Sequence, residues 1–263
     1  FSTALLVSKN LLLSHGKTVR AFRDMGLKGE IGITLDLRPC YPASEKEEDI
    51  YAAQRADGSL NRWFLDPVIK GSCPTDMVEW YRQKGVIVPE FSQEELDITS
   101  TPSDFLGINY YFPATVQNCS EGKWPVDFRY YTTDRVKLVE NGDYYPEGLY
   151  DLLIRLKNDY DIKKIIITEN GCHSDDIVNI RGEVIDDKRK DYIYRHLVKI
   201  QEAIRDGVNV AGYYVWSLMD VFEWAGGYKF KLGIVHVDRR TLKRTVKMSG
   251  HWYRDVIKNN GLY

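Results

Sequence analysis

Residues 163–171 read Lys-Lys-Ile-Ile-Ile-Thr-Glu-Asn-Gly. Ile165 to Thr168 are four β-branched residues in a row without hydrophobic–polar alternation, which suits a strand covered on both faces, as in a parallel sheet. Glu169 follows directly, before Asn170-Gly171, so its carboxyl sits where a strand runs out. Such a group caps the next helix or meets a surface lysine. Alternatively, a rigid strand holds it as a nucleophile or general acid/base.

Working outward, the same rhythm recurs on both sides. Upstream, Pro146 opens a helix whose stripe is Leu149, Leu152, Leu153, Leu156 and Tyr160. Asp104 to Tyr111 reads as a strand ending in polar and aromatic residues, and Glu30 to Leu37 as another, stopped by Pro39 and Pro42. Phe1 to Met25 is helical, with Leu5, Leu11, Leu12, Val19 and Phe22 at helical spacing, Ser2 or Thr3 as its cap and Gly26 at its end. Residues 45–97 are helical in pieces around Asp49–Ala53 and Met77–Tyr81. Phe112 to Tyr145 reads as an ordered loop or hairpin, because it carries Trp124, Phe128, Tyr130 and Tyr131. Downstream, Asp187 to Asp206 is a helix with Ile193, Leu197, Ile200 and Ile204 on one face. Val210 to Ser217 is a second doubly buried strand, Leu232 to Val237 a short β stretch, and Lys247 to Ile257 a last helix. Four strands alternating with helices give an α/β fold with parallel strands. A doubly wound sheet and a β/α barrel both satisfy that rhythm, although no GxGxxG or phosphate-binding loop favours the former. A barrel places function at the C-terminal strand ends, where Asn109, Tyr111, Glu169 and Trp216 lie.

Composition narrows the rest. The 263 residues hold 36 Lys+Arg against 38 Asp+Glu, a net charge of −2, which argues against a nucleic-acid partner. No apolar run nears the roughly 20 residues that span a bilayer, so no membrane partner is expected. Cys40, Cys73, Cys119 and Cys172 are scattered, which reads as four reduced thiols of a cytoplasmic protein, and the histidines show no metal-ligand spacing. The Asn118-Cys119-Ser120 sequon reads as chance. No domain linker is visible, so residues 1–263 read as a single domain. Trp216 ends a strand, and Glu223 and Trp224 follow in Asp220-Val221-Phe222-Glu223-Trp224. An acid flanked by aromatics stacks on a sugar's apolar face and accepts hydrogen bonds from its hydroxyls. With 18 Tyr and six Trp, both that reading and ordinary core packing stand open.

Ile167-Thr168-Glu169-Asn170-Gly171 resembles the nucleophile motif of glycoside hydrolase family 1, the β-glucosidase family. Four further segments agree in the family's order: Asn10 to Gly16, Asp104 to Tyr111, Pro146 to Tyr150 and Gly212 to Trp224. The resemblance implies a (β/α)8 TIM barrel and a retaining β-glycosidase that hydrolyses a terminal non-reducing β-D-glucosyl or related residue. It makes Glu169 the nucleophile and Tyr111 its hydrogen-bond partner. Asn109 lines the pocket, Trp216 is the platform under the sugar, and Glu223 with Trp224 binds its hydroxyls. It implies a β-glucoside or small oligosaccharide as substrate and neither metal nor organic cofactor. An acid at Glu223 favours an unphosphorylated sugar.

The family's general acid/base stands in an Asn-Glu-Pro motif on strand four, and no Asn-Glu-Pro occurs here. The glycone-binding Gln, His and Asn of the family's first half are also missing. Four strands instead of eight match only the C-terminal half of a barrel, beginning in the helix after strand four. The expected partner is therefore a complementary N-terminal half-barrel, or a second copy through self-association, since open strand edges invite pairing. Asp36 and Asp220 lie near strand ends, but neither is expected to serve as the second carboxyl. Gly142-Asp143 replaces a family Trp, Val221 replaces an Asn, and Ala225 to Tyr228 departs from the usual Ala-Tyr-Gly-Tyr. The alternative is an inactive half-barrel with a carbohydrate-binding or structural role.

Overall fold

The run Ile165–Thr168 lies within one of four parallel strands in a computed structural model that describes residues 1–122, 124–131, 137–139 and 142–262. In chain order the elements are α1 (Ser2–Asp24), β1 (Gly32–Asp36), β2 (Cys40–Pro42), α2 (Glu47–Asp57), α3 (Trp63–Leu65), α4 (Thr75–Gln83), α5 (Gln93–Thr99) and β3 (Phe105–Asn109). There follow β4 (Ala114–Asn118), β5 (Phe128–Tyr130), β6 (Lys137–Val139), β7 (Gly142–Tyr144), α6 (Pro146–Tyr160), β8 (Ile165–Asn170), α7 (Asp187–Arg205), β9 (Val210–Val215), β10 (Val235–Val237), β11 (Arg244–Val246) and α8 (Met248–Asn259).

The main sheet has the order β1-β3-β8-β9, every pair parallel. Each strand neighbours the next one in the main sheet, with helices in the crossovers, which is the curling order of a β/α barrel and not the reversing order of a doubly wound sheet. Four strands form a sector of such a barrel. Among the described residues no strand lies beyond β1 or β9.

Burial along the strands corrects one expectation. Ile165 and Ile167 are fully buried, but Ile166 and Thr168 are only half-buried, and in β9 Ala211 and Tyr214 are exposed. These strands are covered on the helix side alone. In a closed barrel eight strands fill the lumen with layers of side chains; four strands leave that face to water.

The helix side carries the main core: Leu106 and Ile108 of β3 and Ile165 and Ile167 of β8 pack on Leu149, Leu152, Leu153 and Leu156 of α6 and Ile200 and Ala203 of α7. Full burial of one such leucine contributes about 1.5–3 kcal/mol. A second core joins Leu5 of α1, Ala52 and Ala53 of α2, Met77 and Tyr81 of α4, and Val116 and Phe128 of a side sheet ordered β2-β4-β5. Phe64 packs against both clusters.

Several local readings shift. The strand at 104–111 stops at Asn109. Of the α1 stripe, Leu5, Leu12 and Val19 are buried but Leu11 faces solvent. Neither Ser2 nor Thr3 caps α1; the Ser2 hydroxyl instead accepts from the Ile87 amide. Ile204 is exposed, and Ala203 takes the core position beside Ile200 in the last turn of α7. The stretch 232–237 yields only β10, paired antiparallel with β11 outside the main sheet. Phe112–Tyr145 holds the β4–β5 and β6–β7 pairs; residues 123, 132–136 and 140–141 of it lie outside the described residues.

Candidate active site

The strand ends gather most of the residues singled out from sequence. Glu169 is half-buried near the end of β8, and its Oε2 accepts a 2.6 Å hydrogen bond from the Tyr111 hydroxyl, two residues past β3. A hydroxyl donating to a carboxylate is among the stronger hydrogen bonds and fixes the acceptor's orientation. Burial first, then the Glu169 carboxylate, holds the Tyr111 hydroxyl far above its ordinary value, and the charges of Glu223 and Asp36 push the same way. Tyr111 therefore stays a donor.

Asn109 closes β3 and accepts at 2.7 Å from the Thr168 hydroxyl, next to Glu169. Trp216 follows β9; its amide donates to the Asn170 carbonyl at 3.0 Å, and its peptide bond to Ser217 is cis. Gly171 is buried, and a Cβ there would run into the Trp216 carbonyl oxygen. The glycine of the motif is thus what lets the ends of β8 and β9 touch. Glu223 is half-buried in a tight turn, its amide donating to the Gly227 carbonyl at 2.7 Å. Trp224 does not join the cluster; it is 84% exposed.

Neither substitute for a second carboxyl is available. Asp36 pairs with Arg38 at 2.9 Å. Asp220 is buried and saturated: it accepts from Lys247 Nζ at 2.7 Å and from the amides of Gly233 and Val237. Asp220 is thus enclosed by its own partners, and Asp36 is engaged by Arg38. Among the described residues, no group of three or more His, Cys, Asp or Glu is placed to hold a metal ion, no helix is long and apolar enough to cross a membrane, and the four cysteines are free.

The sequence reading missed the supports. Asn170 is fully buried: its Nδ2 donates to the Tyr110 carbonyl at 2.7 Å and to the Tyr192 hydroxyl at 3.1 Å, and its Oδ1 accepts from the Tyr213 hydroxyl at 2.7 Å. Behind the loops lies an ion cluster. Arg189 pairs with Asp176 at 2.9 Å and also with Asp186, while Lys247 bridges Asp176 and Asp220. Lys247 thereby ties the loop after β8, which follows Glu169, to the loop after β9, which carries Glu223. No local pattern announces such a tie, since its members lie up to 71 residues apart in sequence.

Residues 1–262 match the sequence model described as Glycosyl hydrolase family 1. The chain belongs to that family. It is 44% identical to "Beta-glucosidase A" of Acetivibrio thermocellus over 98% of its own length and 58% of that protein's. It is 35% identical to "6-phospho-beta-glucosidase GmuD" of Bacillus subtilis, covering 99% of the chain and 59% of the relative. Among solved structures, the family 1 β-glucosidase of Thermotoga maritima superposes with a TM-score of 0.92 at 38% identity, over 100% of this chain and 58% of that one. The chain thus spans well under two thirds of these family 1 relatives.

Proposed function

We propose that this chain supplies the C-terminal part of a retaining β-glycosidase, with all 263 residues forming one domain and Glu169 as the nucleophile. The observation that carries the reading is the Tyr111 hydroxyl on Glu169 Oε2 at a barrel strand end. Glu169 attacks the anomeric carbon as the leaving oxygen departs, and a glycosyl ester forms. Water then attacks that carbon and returns the carboxylate. Tyr111 holds the attacking carboxylate, Asn109 lines the pocket, Trp216 underlies the sugar ring, and Glu223 accepts from its hydroxyls, helped by Trp224, whose exposed indole N–H can only donate.

The proton for the leaving group comes from a second carboxyl, which in a retaining site stands about 5–5.5 Å from the first. With Asp36 and Asp220 both held in ion pairs, that acid belongs to a complementary N-terminal half-barrel. The open edges of β1 and β9 and the exposed Leu6, Val7 and Leu11 of α1 support such a partner. Relatives at 39–44% identity are named β-glucosidases or 1,4-β-D-glucan glucohydrolase, and solved neighbours hold castanospermine and deoxynojirimycin. These support a β-glucoside or small oligosaccharide. The Glu223 carboxylate repels a phosphate, so the sugar is unphosphorylated, despite the 6-phospho-β-glucosidase among the relatives.

The test is hydrolysis of a nitrophenyl β-glucoside by the chain alone, by the chain joined with the first half of a family barrel, and by its Glu169→Gln variant in that assembly. The reading predicts turnover only in the wild-type assembly. Ready turnover by the purified chain alone, or turnover that survives Glu169→Gln, contradicts it.

A further inference from the structure

We propose that Tyr192, on α7, is a positioning residue for the nucleophile, setting through Asn170 and the Tyr111 main chain the place of the Tyr111 hydroxyl that orients Glu169. This rests on the assignment of Glu169 above.

The need for such a support is visible in the sheet. The β3–β8 ladder breaks register between Ile108 and Asn109 and runs out there. Past that point the Tyr110 amide still donates to the Glu169 carbonyl at 3.0 Å. Tyr111 stands one residue further, where the strand geometry no longer fixes it. Tyr192 fills that place: its hydroxyl donates to the Tyr111 carbonyl at 3.0 Å and accepts from Asn170 Nδ2 at 3.1 Å. Asn170 in turn holds the Tyr110 carbonyl with its other N–H, takes the Tyr213 hydroxyl on Oδ1, and receives the Trp216 amide on its main-chain oxygen. One buried amide therefore joins the ends of β3, β8 and β9 to α7.

The clamp is rigid as well as satisfied. Tyr192 is 4% exposed, its ring centroid lies 4.0 Å from that of His196, and the His196 ring nitrogen meets the Tyr192 carbonyl at 2.8 Å. A core tyrosine needs only one partner to be satisfied. This one instead spends both hydroxyl roles on Tyr111 itself and on Asn170, the residue after Glu169. A small misplacement of a group in a reacting site costs rate steeply.

The experiment is a double-mutant cycle on the chain joined with the first half of a family barrel, using Tyr192→Phe and Tyr111→Phe. The readout is the rate of covalent labelling by 2,4-dinitrophenyl 2-deoxy-2-fluoro-β-glucoside, followed by intact mass. In this step the bond from Glu169 oxygen to the anomeric carbon forms and the bond to the aryl oxygen breaks. Dinitrophenolate leaves with the electron pair and needs no acid. Tyr192→Phe keeps the ring and is expected to slow labelling about tenfold in the wild-type background but less than twofold beside Tyr111→Phe. A merely structural role gives the same factor in both backgrounds, and that result overturns the proposal. A wild-type assembly that takes no label at Glu169 overturns the nucleophile assignment and this inference with it, so the two failures are told apart. Should Tyr192→Phe lose its cooperative melt, Tyr213→Phe enters the cycle instead. It loosens Asn170 without touching Tyr111, and the same contrast of coupled against equal factors decides.

Discussion

Replacing Lys247 with Met removes the cation that joins the carboxylates of Asp176 and Asp220. The ammonium is wholly buried, as is Asp176, and Asp220 is nearly so. Two long-range hydrogen bonds vanish at once. Asp176 keeps Arg189 at 2.9 Å, but Asp220 is left with two main-chain amides and no cation bonded to its carboxylate, His236 Nδ1 lying 3.3 Å away. Removing one partner of a buried pair costs about 3–5 kcal/mol, mostly because a charge stays buried without its counterion. A chain of 263 residues has an unfolding entropy of roughly 0.55 kcal/mol/K, so the melting midpoint falls by about 5–9 °C. The assay is a thermal melt at neutral pH followed by far-ultraviolet circular dichroism, with hydrogen exchange read over residues 217–233. Adding Asp220→Asn to Lys247→Met removes the stranded charge and recovers part of the loss. A Lys247→Met midpoint within about 1 °C of wild type, with unchanged exchange in that loop, refutes the claim that the ion cluster fixes the Glu223 loop.

His196 is fully buried, and loss of solvent lowers its pKa from 6.5 to about 4. The fold holds the neutral ring while the unfolded chain protonates freely, so this contribution is complete above pH 6.5 and is lost as pH falls towards 4. It amounts to at most about 3 kcal/mol, and urea unfolding measured from pH 7 to 4 shows the decline flattened in His196→Gln. Tyr111→Phe removes a hydrogen bond to a charged acceptor, worth about 1.5–3 kcal/mol. Labelling of Glu169 then slows by about 10- to 100-fold, and the melting midpoint falls by no more than about 3–5 °C. Gly171→Ala drives a methyl into the Trp216 carbonyl; near-normal labelling in that variant refutes the close β8–β9 contact.

The four barrel strands were legible because each is a short apolar run bounded by turn residues and closed by polar or aromatic side chains. Glu169, Tyr111, Asn109 and Trp216 were legible for the same reason: they interrupt the apolar pattern where it ends. Double burial was misread for β8 and β9, because an unbroken β-branched run reports what a strand would pack against in a closed barrel, and half of that packing is missing from this chain. The helix α5 begins inside the stretch read as helical in pieces but was not singled out, although Ser92 and Glu95 form a reciprocal cap at its start, a signal that the S-x-x-E spacing carries. The side sheet β2-β4-β5 was missed because its strands are only 3–5 residues long, too short for a period. The enclosure of Asp220 was not legible, because its partners, Lys247, Gly233 and Val237, meet it only in three dimensions.

The central claim is that Glu169 is the nucleophile. The most direct measurement is peptide mapping of the chain, joined with the first half of a family barrel, after exposure to the fluorinated dinitrophenyl glucoside. The account predicts one adduct, on the peptide carrying Ile167-Thr168-Glu169-Asn170-Gly171, and none in Glu169→Gln. An adduct on another carboxylate such as Asp36 or Glu223, or an adduct that persists in Glu169→Gln, contradicts it.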